Sequence, residues 1–228
     1  VELSSNLKSE HCRKDHPACM ITRLLPHVAS TGNFSPLQSA YRKRHSTETA
    51  LLKILDDLYK IIDSKSAAVL IALDLSAAFD TIDHNVLLDR LKSTFGISGS
   101  ALSWLQSYLN SRSQFVKVGT EQSQESAVTI GVPQGSVLGP FLFSAYVSPI
   151  ADIISSYGVQ FHQYADDTQL YTAVKSEVGM ANVRNLENCS CAVRDWFALN
   201  GMLINPEKSE VLLAVSYTHL TLPTTSRV

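Results

Sequence analysis

Val69-Leu70-Ile71-Ala72-Leu73-Asp74 and Tyr164-Ala165-Asp166-Asp167 decide how this chain is read. Each is an apolar strand pattern that ends in carboxylate. One acidic residue after a strand is ordinary. Asp74 alone serves as a helix cap after its strand, and Asp166-Asp167 alone fit turn chemistry, because Asp favours turns. Three aspartates at the ends of two strands say more. They suggest a site for a hard divalent cation, which takes one or two carboxylates with phosphates and water. Two such cations about 3.5–4 Å apart activate an attacking hydroxyl and neutralise a leaving group, the requirement of phosphoryl transfer.

The run at 67–73 predicts a strand buried on both faces. Residues 159–164 and 168–174 alternate enough to pair, which sets Asp166 and Asp167 at or beside a hairpin turn. Ser46 caps a predicted helix over 47–63, with Leu51, Leu55, Leu58 and Ile62 on one face. Asp83 caps a helix over 84–94, stopped by Gly96, and Ser100 caps another over 101–110. Strands are expected at 114–118 and 126–132. The breaker-rich Gly131-Val132-Pro133-Gln134-Gly135-Ser136 then opens one apolar helix over 138–156. A helix over 178–198 and short strands at 202–205 and 210–215 complete the pattern. Residues 1–20 show no clear period and stay unassigned. Ser216 to Val228 carry neither period, resemble translated adapter or vector sequence, and are set aside from the fold.

The 228 residues are 45% hydrophobic, which fits a globular chain with a core of its own. No run approaches the ~18 apolar residues of a membrane span, and no leader pattern indicates secretion. Cys12, Cys19, Cys189 and Cys191 fall in two close pairs; reduced thiols and an intracellular setting are expected, with no disulfide framework. His11, Cys12, His16 and Cys19 match no zinc-finger spacing. Cys189 and Cys191 do not share a helix face. The net charge of -2 is unevenly spread: residues 1–65 carry ten basic and seven acidic side chains, the remainder nine and fourteen. An acidic centre beside a basic lobe suits a metal site next to a polyanion groove, although a solvated charge run explains the bias equally well.

Further segments share the order of a known family. They are Leu37-Gln38-Ser39-Ala40-Tyr41-Arg42 with Ser46-Thr47-Glu48-Thr49-Ala50, and Leu73-Asp74-Leu75-Ser76-Ala77-Ala78-Phe79-Asp80. Gly131 through Pro140, Tyr164 through Asp167, and Asn200 through Glu210 come after them. Together they resemble the reverse transcriptase of non-LTR (LINE-type) retrotransposons over residues 21–215. The resemblance implies an α+β fold: a polymerase palm at 67–215, with a small antiparallel sheet backed by helices, and partial helical fingers at 21–66. It implies RNA-directed DNA synthesis with two Mg2+ ions, for which Mn2+ can substitute. Asp74 and Asp166 would be the main metal ligands, Asp167 the third acidic residue, and the Leu75 carbonyl an extra oxygen. Phe79 stands at the family's steric gate against ribonucleotides. Gln134 and Gly135 match the loop along the incoming nucleotide, and Lys208 the lysine near its phosphates. Arg42 and Arg44 match finger residues that face triphosphate or template. Asp80 and Asp83 read as helix-start residues.

The same resemblance names RNA template, DNA primer and dNTPs as partners, no membrane, and a nuclear and cytoplasmic setting. Its limits predict that the thumb and the endonuclease domain are absent. Two rival readings stand beside it. An RNA-dependent RNA polymerase shares the chemistry, but Phe79 and Tyr164-Ala165-Asp166-Asp167 argue against it. A catalytically inactive remnant would keep the palm and at most bind RNA.

Overall fold

The computed structural model describes residues 2–6, 17–42, 44–110, 112–133, 135–174 and 179–215. In chain order the elements begin with β1 (Glu2–Asn6), α1 (Pro17–Ser30), α2 (Thr47–Asp63), β2 (Ala67–Leu73) and β3 (Leu75–Ser76). Then come α3 (His84–Ser93), α4 (Gly99–Leu109), β4 (Arg112–Val118), β5 (Glu121–Gln122) and β6 (Ser126–Val128). The last are α5 (Gly139–Val147), α6 (Ile150–Ser156), β7 (Gln160–Tyr164), β8 (Asp167–Val174), α7 (Gly179–Leu199), β9 (Leu203–Ile204) and β10 (Glu210–Ala214). The architecture is mixed α and β, with small antiparallel sheets backed by helices. No helix among the described residues is long and apolar enough to cross a membrane.

The chain divides into two compact units. One comprises Val1–Phe34 and Phe79–Tyr146. It holds α1, α3, α4, most of α5, and a sheet in which β4 pairs with β1, β5 and β6. Asp83 caps α3 through its Oδ1, which accepts from the amides of Asn85 and Val86. Gly96 ends this region with φ +66°, a conformation glycine adopts without steric cost.

The other unit, Ser35–Ala78 with Val147–Val228, is built on the antiparallel sheet β10-β2-β8-β7. Ser46 opens α2 with a capping box: its Oγ accepts from Thr49 N, while Thr49 Oγ1 accepts from Ser46 N. Such caps contribute about 1 kcal/mol. Ile54, Leu58 and Ile61 of α2 pack with Ala68 of β2 and Tyr171 of β8. The Tyr171 hydroxyl donates to Asp57 Oδ2 at 2.6 Å, which satisfies a polar atom whose burial would otherwise be costly. Helix α7 packs along β8 and buries Leu186, Cys189, Val193 and Phe197. Burial pushes the Cys189 thiol up to about 11, whereas Cys191 is exposed.

Several expectations are corrected. The buried face of α2 is Ala50, Ile54, Leu58 and Ile61, while Leu51 and Leu55 are exposed. The helix carries apolar residues on two faces, and only the face one residue out of phase meets the sheet. Strand β2 is central but mostly half-buried, with only Ala68 and Leu73 fully inside, because its neighbours are antiparallel and it is covered unevenly. Helix α4 starts at Gly99, with Ser98 rather than Ser100 at its N-cap. The strand expected over 126–132 stops at Val128. The single helix over 138–156 is two, α5 and α6, with Pro149 at the break; proline lacks the N–H a continuous helix needs. Helix α1, unforeseen, buries Met20, Leu24 and Val28 at four-residue spacing. The unassigned segment also contributes β1, whose backbone pairs with β4. His11, Cys12 and His16, and the tail at 216–228, lie outside the described residues.

A pH dependence is built into β7. His162 is buried, with Nε2 and Ser39 Oγ sharing a 2.8 Å hydrogen bond. Its pKa is pushed below the usual imidazole value by desolvation first, then by Lys53; Asp57 opposes and His45 assists. The folded state therefore binds fewer protons than the unfolded chain below about pH 6.5. Stability is full above that pH and falls as pH drops through it. Urea titrations between pH 8 and 5 are expected to show this loss, with a flatter profile for His162→Gln. Identical profiles would exclude His162 as the source.

Candidate active site

Strand register brings the acidic ends together. β2 and β8 run antiparallel with Leu73 opposite Thr168, so one further step sets Asp74 level with Asp167. β7 and β8 close on the pair Tyr164–Asp167, leaving Ala165 and Asp166 as a two-residue turn. Ala165 has φ +53°. A positive φ at the first turn position matches the twist of a tight hairpin, but for alanine it costs roughly 1–2 kcal/mol. Asp166 is half-buried and Asp167 exposed.

Asp74 is held by its backbone on both sides. Its N–H donates to Ser209 Oγ at 3.3 Å, and its carbonyl accepts from Asn205 N at 2.8 Å. Asn205 organises that turn: its Oδ1 accepts from Glu207 N, and its carbonyl accepts from the Ser209 hydroxyl. The Asp74 side chain is 26% exposed, yet its Oδ2 is buried without a hydrogen-bond partner. Lys208 Nζ lies 4.0 Å from that oxygen, beyond hydrogen-bond reach. The Asp167 carboxyl is raised above the usual range by desolvation first, then by the charges of Asp166 and Asp74. Burial and the same Asp166 charge raise the Tyr41 phenol. Like charges thus converge on one sheet end.

Among the described residues no group of three or more His, Cys, Asp or Glu is gathered so as to hold a metal by itself. A magnesium ion asks for less, because substrate phosphates and water complete its shell. The orphaned Oδ2 of Asp74 and the like-charge pressure on Asp167 fit such an ion.

The other expected site residues fall in both units. Leu75 is buried in β3 and pairs with Ile204. Arg42 Nη1 donates to the carbonyls of Ser35, Pro36 and Gln38, so that nitrogen braces its own loop. Arg44 is exposed, with φ +65°. Phe79, in the other unit, stacks on buried Phe143 with centroids 4.9 Å apart. Gly135, in that unit too, has φ +75° and open space where a Cβ would stand. Gln134 lies outside the described residues. Gln38, Asn205 and Ser209 stand inside the family segments, but sequence reasoning gives none of them a role. The Asx-turn preference of Asn205 is legible, but what it holds is not.

Residues 12–223 match the family described as reverse transcriptase (RNA-dependent DNA polymerase). The chain is 30% identical over 195 residues to the RNA-directed DNA polymerase from mobile element jockey of Drosophila melanogaster, covering 83% of this chain and 21% of that protein. It is 30% identical to the probable RNA-directed DNA polymerase from transposon X-element of the same organism, covering 75% and 19%. It therefore spans about a fifth of the length of these relatives. Among solved structures, the apo telomerase of Candida tropicalis truncated from its C-terminal domain superposes with a TM-score of 0.67 at 14% identity. That match covers 93% of this chain and 43% of the telomerase. A telomerase of Candida albicans in complex with a fragment of telomeric RNA gives 0.66 at 14% identity, covering 96% and 37%. At that identity the likeness is one of fold. By the family match and by homology to the reverse transcriptase domains of non-LTR retrotransposons, this chain belongs to the reverse transcriptase (RNA-dependent DNA polymerase) family.

Proposed function

We propose that this chain carries the nucleotidyl-transfer site of a non-LTR retrotransposon reverse transcriptase, adding dNTPs to a primer 3′-hydroxyl on an RNA template. The observation that carries the reading is the register that sets Asp74 level with the Asp166-Asp167 hairpin while leaving Asp74 Oδ2 buried without a hydrogen-bond partner. Asp74 and Asp166 would hold Mg2+, with Asp167 and the Leu75 carbonyl as further oxygens. When bound, two such ions supply the positive charge that favours the alkoxide nucleophile and the pyrophosphate leaving group. The carboxylates fix where that charge sits, and the paired strands spare them the reorganisation that mobile loops would need. Lys208, 70% exposed beside Asp74, is free to swing toward triphosphate oxygens and to donate a proton to the departing pyrophosphate. The sheet end is the palm element of this reading. The nucleotide-binding roles of Phe79, Gln134, Gly135, Arg42 and Arg44, and the identities of the RNA template and DNA primer, rest on the resemblance.

Primer extension tests the proposal. With an RNA template, a DNA primer and Mg2+, the chain is expected to incorporate dNTPs, to stop on chelation, and to resume with Mn2+. Phe79→Ala is expected to admit rNTPs; unchanged sugar selectivity would remove the gate assignment. Absence of incorporation under all these conditions would favour the inactive remnant.

A further inference from the structure

We propose that Gln38 is a positioning residue that holds the Ala165-Asp166 turn in its left-handed conformation, and so aims the Asp166 carboxylate. This rests on the site reading given above.

Gln38 is 3% exposed. Its Nε2 donates to the Ala165 carbonyl at 3.0 Å, and its Oε1 accepts from the Ala165 N–H at 3.0 Å. One primary amide thus satisfies both backbone groups of a single turn residue. In an antiparallel ladder two opposed residues exchange such a pair of bonds; here a side chain takes the place of the opposing residue. Ala165 is the strained position, at φ +53°. The next residue is Asp166, so the direction of its carboxylate depends on the backbone that Gln38 fixes.

The clamp is itself anchored. Ser39 N donates to the Gln163 carbonyl, and Gln163 N donates to the Leu37 carbonyl, both at 2.9 Å. The segment around Gln38 is therefore stitched as a short bridge to the outer edge of β7. Gln38 Oε1 also accepts from Ala40 N at 3.2 Å, which fixes the amide's orientation. The hydrogen bonds of the Gln38 amide go to the backbone of Ala165 and Ala40. Its effect passes through Ala165, as a residue behind a metal ligand acts through that ligand.

The test is a cycle of Gln38→Met, Ala165→Gly and their double variant in the full chain. Methionine keeps length and apolar packing but removes both hydrogen bonds. Glycine adopts positive φ without the Cβ penalty, so it removes the need for the clamp. Two readouts are used: Mn2+ affinity by titration, and hydrogen exchange of the Ala165 amide. Gln38→Met is expected to weaken Mn2+ binding by about 10–100-fold and to speed Ala165 exchange about tenfold. Adding Ala165→Gly is expected to restore affinity to within about threefold of wild type. Unchanged affinity in Gln38→Met overturns the proposal. So does a loss that glycine fails to restore, because a packing role would not be rescued at residue 165. Asp74→Asn separates the two readings. If Mn2+ binding ignores that change, the metal-site reading fails. The clamp is then judged by exchange alone, and equal Ala165 rates in wild type and Gln38→Met overturn it.

Discussion

Asp166→Asn is expected to cut Mg2+-dependent dNTP incorporation by about three orders of magnitude, equivalent to about 4 kcal/mol of transition-state stabilisation, while leaving the fold intact. Asparagine matches aspartate in size and suits a tight turn as well. The change therefore removes charge and little else. It also relieves Asp167, whose carboxyl is raised in part by Asp166. Thermal stability is expected to hold or rise as activity disappears. Asp74→Asn should cost as much, because its buried Oδ2 accepts no hydrogen bond and faces Lys208 Nζ at 4.0 Å. Asp167→Asn should cost less, about 10–100-fold, because Asp167 is exposed and acts beside the main ligands. This ranking is the discriminating result. Equal incorporation by wild type and Asp166→Asn, measured by single-nucleotide primer extension, would sink the assignment.

Asp74 reaches Asp167 through the long-range β2–β8 pairing of Leu73 with Thr168, which no local pattern announces. The Asp166-Asp167 turn itself is legible, because a period-2 pattern ending in a two-residue turn fixes the β7–β8 register by short-range rules. The α2 boundary is legible for the same reason, since Ser46 and Thr49 form a local cap. Its face is not, because Leu51 and Leu55 are as apolar as Ile54 and Leu58, and only the sheet decides which pair is buried. The break at Pro149 is present in the sequence but masked by the apolar run on both sides of it. Long-range polar partners leave no such mark. Gln38 and Ala165 are 127 residues apart, and nothing in either neighbourhood announces the other. Arg42 has a local role that its side-chain type does not announce. Its side chain suits phosphate, yet its Nη1 serves three carbonyls of its own loop.

Gly131→Ala is expected to destabilise the protein by about 3 kcal/mol or more, the sum of a strained backbone and an overpacked contact. For a chain of this size that lowers Tm by about 6–12 °C. Gly131 has φ +84°, and a Cβ there would stand 2.9 Å from the Asp80 carbonyl oxygen and 3.0 Å from its Cα. Both obstacles are backbone, so neither can rotate away. The approach is close because the two segments are tied together. Gly131 N donates to the Ile82 carbonyl at 2.7 Å, and Val132 N donates to the Phe79 carbonyl at 2.8 Å. The buried His84 ring donates from Nε2 to the Gly131 carbonyl at 2.7 Å. Gly135→Ala is the control. Its φ of +75° is similar, but a Cβ there meets nothing within 4 Å, so only backbone strain of roughly 1–2 kcal/mol remains. Urea denaturation of both variants separates the contributions. Equal destabilisation would mean that φ alone makes glycine necessary at 131. A clear excess at 131 would show that contact with the Asp80 backbone sets the requirement, through the same bonds that fix the backbone of Phe79.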